Sequence, residues 1–333
     1  MTSQEFEKSI QAGSIPLLCY LYGDEPFLLE RCVERILSIT VDPGFRDFNF
    51  NLFYGNESKG VDILNAAMTL PMFCERRTVL VRRADALRSE ELETLLPYIN
   101  NPSESTCLIF TGTKTDQRKK FFQEIKKRGE LVEYKKIYEA KLGDFIKGEA
   151  RLKEREIEPA AVGLLSAMIG NNLQELSSQI EKLAIYTGQR KRITIDDVKT
   201  IASDSKAFTV FELCRFVGMR DMRNAVKSLD TLFRDGEQAP AIIGALARHS
   251  RQLWRVRELL NRNAIQGEIS REAGINPYFL QEIIVQAKKF SVPDLKKLIE
   301  ELHVCDMASK SGGNPHAILH QLLFRICLNQ TEN

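Results

Sequence analysis

Short apolar runs and amphipathic stretches alternate through the first third of the chain. Pro16–Leu21, Thr78–Val81 and Thr106–Phe110 are apolar runs of strand length, and Leu131–Tyr134 closes the series. Phe48–Tyr54 alternates apolar and polar positions, which also predicts a strand. Between them Leu28, Leu29, Cys32, Val33, Ile36 and Leu37 recur at helical spacing, with Asp24 as the expected N-cap and Pro26 in the first turn. Val61–Met68, Glu90–Ile99 and Phe121–Lys127 predict further helices. Strands that alternate with helices imply a parallel sheet covered on both faces.

Near Lys135–Lys141 the pattern changes, and almost no strand signal follows. Asp144–Glu156, Pro159–Ile169 and Asn172–Tyr186 read as helices. Ile193–Thr194 is too short to count as a strand, and Thr194 is placed as the cap of a helix at Ile195–Ile201. A break at Ser203–Lys206 precedes longer amphipathic helices at Phe211–Val217, Met222–Phe233, Pro240–Arg262, Pro277–Lys289, Val292–Ser309 and Pro315–Leu328. The expected organisation is α/β plus all-α. An α/β domain covers 1–140, a small helical domain 141–206 and a larger helical domain 207–333. There is no internal repeat and no low-complexity segment.

Composition narrows the picture. With 333 residues, 43% of them hydrophobic, the chain can build a sizeable core. Lys+Arg 47 against Asp+Glu 45 excludes a globally basic, nucleic-acid-binding surface but not a local patch. Seven scattered cysteines, no CxxC pair and four histidines argue against zinc and for reduced thiols that act as small core hydrophobes. The first residues lack the charged and apolar regions of a secretory signal, and no apolar run reaches transmembrane length. A soluble, cytoplasmic protein with no membrane partner is expected.

The stretch YLYGDEPFLLE, residues 20–30, sits where a phosphate-binding loop would lie between strand and helix. A working loop reads G-x-x-x-x-G-K-[ST], with glycines opening the backbone to phosphate, a lysine on the outer phosphates and a hydroxyl on Mg²⁺. With Gly23 as the first glycine, the second glycine, the lysine and the hydroxyl fall on Leu28, Leu29 and Glu30. After Thr78–Val81, where an acid should meet Mg²⁺, the chain supplies Arg82 and Arg83. The context of a nucleotide site survives without its chemistry, so no cofactor, no metal and no ATP hydrolysis are expected. Taken alone, GDE could equally be an ordinary capped turn.

The stretch TLPMFCERR, residues 69–77, is the second unusual feature. Pro71 stops the preceding helix, and Met72 and Phe73 follow in what should be a polar surface turn. Exposed, they would anchor in a pocket on another protein, with Arg76 and Arg77 as a charged rim. Folded back, they would be ordinary core residues, the commoner fate of large apolar side chains.

Taken in order, YLYGDEPFLLE, TLPMFCERRTVLVRRAD, GNNLQELSSQIEKLAIYTG, ALARHSRQLWRVREL, AGINPYFLQEIIVQAKKFS and DMASKSGGNPHAILHQLLFRIC resemble the delta subunits of bacterial DNA polymerase III. The resemblance spans nearly the whole chain. It implies the AAA+ clamp-loader architecture: a RecA-like α/β domain, a helical lid and a helical collar, without a functional ATP site. It implies that Leu70, Pro71, Met72 and Phe73 form a wedge that enters a pocket on the sliding clamp (beta subunit) and helps open it. Its implied partners are gamma/tau and delta-prime subunits in a hetero-oligomeric ring, with primed DNA inside the complex. Asn171, Asn172, Leu173 and Gln174 stand where an active lid carries a phosphate-sensing arginine, and no S-R-C arginine-finger triplet occurs. Both absences agree with the degenerate loop.

Two basic groups are further candidates. Arg118, Lys119 and Lys120, near a predicted helix N-terminus, could bind DNA phosphates. Arg248, Arg251, Arg255 and Arg257 share the helix Pro240–Arg262 with Leu246, Leu253, Trp254 and Val256, whose apolar content suits packing on more than one side, against neighbouring subunits or within one helical core. For both groups a solvated face is the ordinary alternative. The competing functions are an active P-loop ATPase, a DNA-binding AAA+-like regulator and a purely structural oligomer subunit.

Overall fold

The computed structural model describes residues 1–202 and 206–328. Met1–Ile137 forms one compact unit and the chain from Tyr138 onward another.

The first unit opens with α1 (Ser3–Gln11), which the hydrophobic pattern does not reveal because only Phe6 and Ile10 are buried on it. Thr2 caps it by accepting the Glu5 N–H. There follow β1 (Leu18–Gly23), α2 (Pro26–Thr40), the single turn α3 (Arg46–Asn49), β2 (Phe50–Tyr54), α4 (Gly60–Met68), β3 (Arg77–Arg82), α5 (Ser89–Asn100), β4 (Thr106–Gly112), α6 (Lys120–Arg128) and β5 (Glu130–Tyr134). The five strands form a parallel sheet in the order β2-β3-β4-β1-β5.

Alternation along each strand fills both faces. Leu18 and Tyr20 of β1 join Val79, Val81, Leu108 and Phe110 beneath α4, α5 and α6. Their neighbours Cys19 and Leu21 join Leu80, Ile109 and Val132 against α1 and α2. Each large side chain so buried contributes roughly 1.5–3 kcal/mol, and this is why the central strands read as unbroken apolar runs. Cysteines serve the same packing: burial pushes the Cys107 thiol up to about 12 and the Cys32 thiol up to about 11.

Two local expectations are corrected. The helix after β1 is capped by Glu25, not Asp24, and without a side-chain hydrogen bond. Pro26 occupies the first helical position, which fixes the cap one residue later. The strand expected at Phe48–Tyr54 starts at Phe50, because Arg46–Asn49 winds into α3 and buries Asn49.

The second unit contains α7 (Glu139–Leu152), β6 (Glu156–Ile157), α8 (Pro159–Ile169), α9 (Leu173–Tyr186), β7 (Arg192–Ile193), α10 (Ile195–Ala202), α11 (Lys206–Met219), α12 (Met222–Arg234), α13 (Ala239–Asn261), α14 (Gln266–Ala273), α15 (Pro277–Lys288), α16 (Val292–Lys310) and α17 (Pro315–Leu328). The helix expected to reach Glu156 stops at Leu152, and Glu154 turns into the left-handed region at φ 56°. The Ile193 segment does form a strand: β6 and β7 pair in parallel, a match between segments too short to signal alone. The break expected at Ser203–Lys206 falls on residues 203–205, outside the described residues, with Lys206 opening α11. The segments 141–206 and 207–333 meet within this unit, where α8 packs on α11 and α15. Leu246, Leu253 and Val256 of α13 are buried inside the chain's own helical core, so these three offer no open face to a neighbour.

Candidate functional site

Beyond the end of α4 the chain makes an exposed apolar turn whose backbone is held from beneath. Leu70 is 73% exposed, Met72 48% and Phe73 77%. The main chain is held first by the buried side chain of Asn49, only 1% exposed. Its Oδ1 accepts the Met72 N–H at 2.7 Å, and its Nδ2 donates to the Met72 carbonyl at 2.7 Å and to Phe45 O at 3.3 Å. Asn49 therefore pairs with Met72 much as a strand neighbour would. Arg77, also buried, donates Nη1 to the carbonyls of Thr69 and Leu70 at 3.3 and 3.4 Å, and Nη2 to Phe48 O at 3.3 Å and Asn51 Oδ1 at 2.7 Å. Burial pulls its guanidinium below the usual arginine range.

Phe73 sits at φ 59°, a region that costs a side-chain-bearing residue about 1–2 kcal/mol. Its ring meets that of exposed Phe45 at 5.5 Å between centroids. The turn is thus a ridge of apolar side chains on a strained, pinned backbone. Sequence reasoning located Leu70–Phe73 but not Phe45, Asn49 or Arg77 as its supports. The signal available was faint: three phenylalanines in the otherwise polar stretch DPGFRDFNF. Of the two arginines expected as a charged rim, Arg77 turns inward, and Arg76 donates to Ile15 O at 3.2 Å.

At the loop after β1, Gly23 has φ +136°, and a Cβ there would lie 2.2 Å from the Tyr134 carbonyl oxygen. The glycine is required by the close approach of β5. Leu29 is buried against the sheet and Leu28 packs beside it. Glu30 forms an ion pair with Arg82. The positions that would hold lysine and hydroxyl are thus used up by core packing and by an internal charge pair. Glu25, buried beside them, has its carboxyl raised first by desolvation, against lowering hydrogen bonds from the Phe27 and Ile137 backbones.

The basic groups are less assembled. Arg118 is held by Asp116, with Nε to Oδ1 at 3.0 Å and Nη2 to Oδ2 at 3.3 Å, so its charge is already met. Lys119 Nζ donates to Ser89 Oγ at 3.3 Å, and Lys120, the first residue of α6, is exposed. In the helical unit a cleft of about 830 Å³ is lined by Arg248, Arg251 and Arg255 of α13 together with Arg271. Arg257 does not join them there.

A family model described as "DNA polymerase III, delta subunit" matches residues 20–135, and one described as "DNA polymerase III delta subunit, C-terminal domain" matches residues 208–326. The chain belongs to the DNA polymerase III delta-subunit family. The DNA polymerase III subunit delta of Bacillus subtilis is 27% identical over 98% of this chain and 96% of its own length. That of Escherichia coli is 23% identical over 68% of this chain and 67% of its own. A solved Bacillus subtilis DNA clamp loader delta protein covers 98% of this chain and 100% of its own, with 26% identity and a TM-score of 0.66. The mixed α/β architecture with a C-terminal helical domain is therefore that of the delta family. The exposed ridge and the filled loop both lie inside the matched segment 20–135. Among the described residues no helix is long and apolar enough to cross a membrane.

Proposed function

We propose that this delta-family chain works within a clamp loader, binds the sliding clamp through Leu70, Met72 and Phe73, and helps open it without hydrolysing ATP itself. The observation that carries this reading is the exposed ridge on a backbone fixed by Asn49 and Arg77. A rigid apolar anchor loses little entropy on entering a pocket. A monomeric protein seldom leaves such side chains outside without a partner for them. With no bond chemistry of its own, the chain acts by differential binding. The ridge shifts the clamp toward its open interface only by as much as it prefers that state.

The proposed neighbours in the assembly are gamma/tau and delta-prime subunits, with primed DNA inside the ring. Lys119 and Lys120 are better placed for phosphate than Arg118, which would first have to leave Asp116. Such contacts would show as affinity falling steeply with salt.

The test is a calorimetric titration of the full chain with the sliding clamp of the same organism, without nucleotide. Met72→Ala combined with Phe73→Ala removes two anchors of about 2 kcal/mol or more each, so affinity should fall by three orders of magnitude or so. The melting temperature should barely move, because both side chains are largely outside the core. Near-normal affinity in the double variant overturns the reading.

A further inference from the structure

Four histidines and no CxxC pair gave no sequence reason to expect a metal, yet the fold brings two of those histidines onto one carboxylate. His316 and His320 are four residues apart on α17, one turn along the same face. Their rings lie 4.4 Å apart between centroids. Asp230 reaches them from α12, far away in sequence. Its Oδ1 stands 3.0 Å from His316 Nε2 and 2.8 Å from His320 Nε2. One potential ligand atom from each of the three residues falls in a group spanning no more than 4.8 Å.

We propose that Asp230, His316 and His320 bind one Zn²⁺ ion that ties α17 to α12. Two imidazoles at i and i+4 on a helix are a bidentate zinc chelate, and a carboxylate from a second element completes a three-ligand set with a fourth position open to water. Zn–N and Zn–O bonds of about 2.0–2.1 Å separate tetrahedral ligands by roughly 3.3 Å. The two nitrogen–oxygen distances need only open by a few tenths of an ångström. His316 and Asp230 are partly exposed, so their side chains are free to make that change and the ion can enter from solvent. The Phe233 ring, 5.0 Å from that of His316, limits how far this imidazole can swing.

The donor set selects the ion. Mg²⁺ and Ca²⁺ favour oxygen ligands, whereas imidazole suits the later transition ions. In the metal-free protein each Nε2 faces the carboxylate as a hydrogen-bond partner. In the zinc form each neutral imidazole presents its Nε2 lone pair and keeps its proton on Nδ1. The chain of α12 and α17 then closes through the ion as well as through packing.

The experiment uses the full chain, stripped with chelator, dialysed and titrated calorimetrically with zinc chloride. One equivalent should bind saturably and raise the melting temperature. His316→Ala, His320→Ala and Asp230→Asn should each weaken binding by about tenfold or more, since even groups that merely support a ligand contribute 10–100-fold. If either histidine variant loses helicity by circular dichroism, Asp230→Asn, which keeps the side-chain shape, decides. Cobalt substitution separates this site from the seven thiols: nitrogen and oxygen ligation gives d–d bands without a thiolate charge-transfer band. No saturable binding, unchanged binding in all three variants, or a thiolate band overturns the proposal.

Discussion

Asn49 shows how one buried polar side chain can shape a surface it never reaches. Its amide satisfies both backbone groups of Met72, so the turn has a defined shape although its side chains point outward. Asn49→Ala should cost about 2–4 kcal/mol of stability through three lost hydrogen bonds and unpaired backbone groups. On the proposed function it should also weaken clamp binding by about tenfold, because a loosened ridge must be ordered again on docking. The double substitution at Met72 and Phe73 should show the opposite pattern, with stability changed by no more than about 0.5 kcal/mol and binding lost. Denaturant unfolding read beside calorimetric titration separates the two. If Asn49→Ala leaves both quantities unchanged, the pinning has no energetic content. The left-handed backbone at Phe73 belongs to the same picture, since strain that the surroundings over-determine gathers at working sites.

The element that bears on the nucleotide question is α2 with the loop before it. Its apolar period places Leu29, Cys32, Val33 and Ile36 against the sheet, so the phosphate-lysine position is a core position. Leu29→Lys with Glu30→Thr would restore two letters of the motif. The expected outcome is a loss of about 2–5 kcal/mol from the vacated core site and the buried charge. No Mg²⁺-dependent binding of a fluorescent ATP analogue should appear. Saturable binding by the variant, or by the unaltered chain, would show that the loop still accepts phosphate. The helix and strands here were legible because double-sided burial forces long apolar runs. The strands β6 and β7 were not, since two residues carry no period and pairing across the fold made them. For the same reason α14 went unread: only Ile269 and Ala273 are buried on it.

At the scale of the whole molecule, acid stability should carry the mark of His249. Its imidazole is held down to about 4, first by burial and then by Arg248, against the raising effect of Gln286 and Glu282. Nε2 lies 2.7 Å from Gln286 Oε1. The unfolded chain takes up a proton near pH 6.5 and the folded one does not. Stability is therefore complete above about 6.5 and falls as the pH drops toward about 4, by up to about 1.4 kcal/mol per unit. Urea unfolding at pH 7 and pH 5 should show this fall, and His249→Gln should flatten it. An equal fall in the variant would assign the acid sensitivity to other groups.

The sequence by itself determined the layer structure, the helical remainder and the leucines and glutamate that stand at the loop's phosphate positions. Each follows from which residue types occupy which periodic positions. It also located the Leu70–Phe73 turn, because proline and large apolar residues rarely meet on a surface. What it could not determine was the direction in which that turn faces. The hydrophobic effect alone favours folding Met72 and Phe73 inward, and it is the bonds of Asn49, from 23 residues away, and of Arg77, which ties the turn's carbonyls to Phe48 and Asn51, that hold the backbone so that they stay out. The same holds for Asp230, His316 and His320. The i, i+4 spacing of the two histidines is written in the chain, but their meeting with Asp230 depends on how α12 and α17 pack, which leaves no spacing in the sequence.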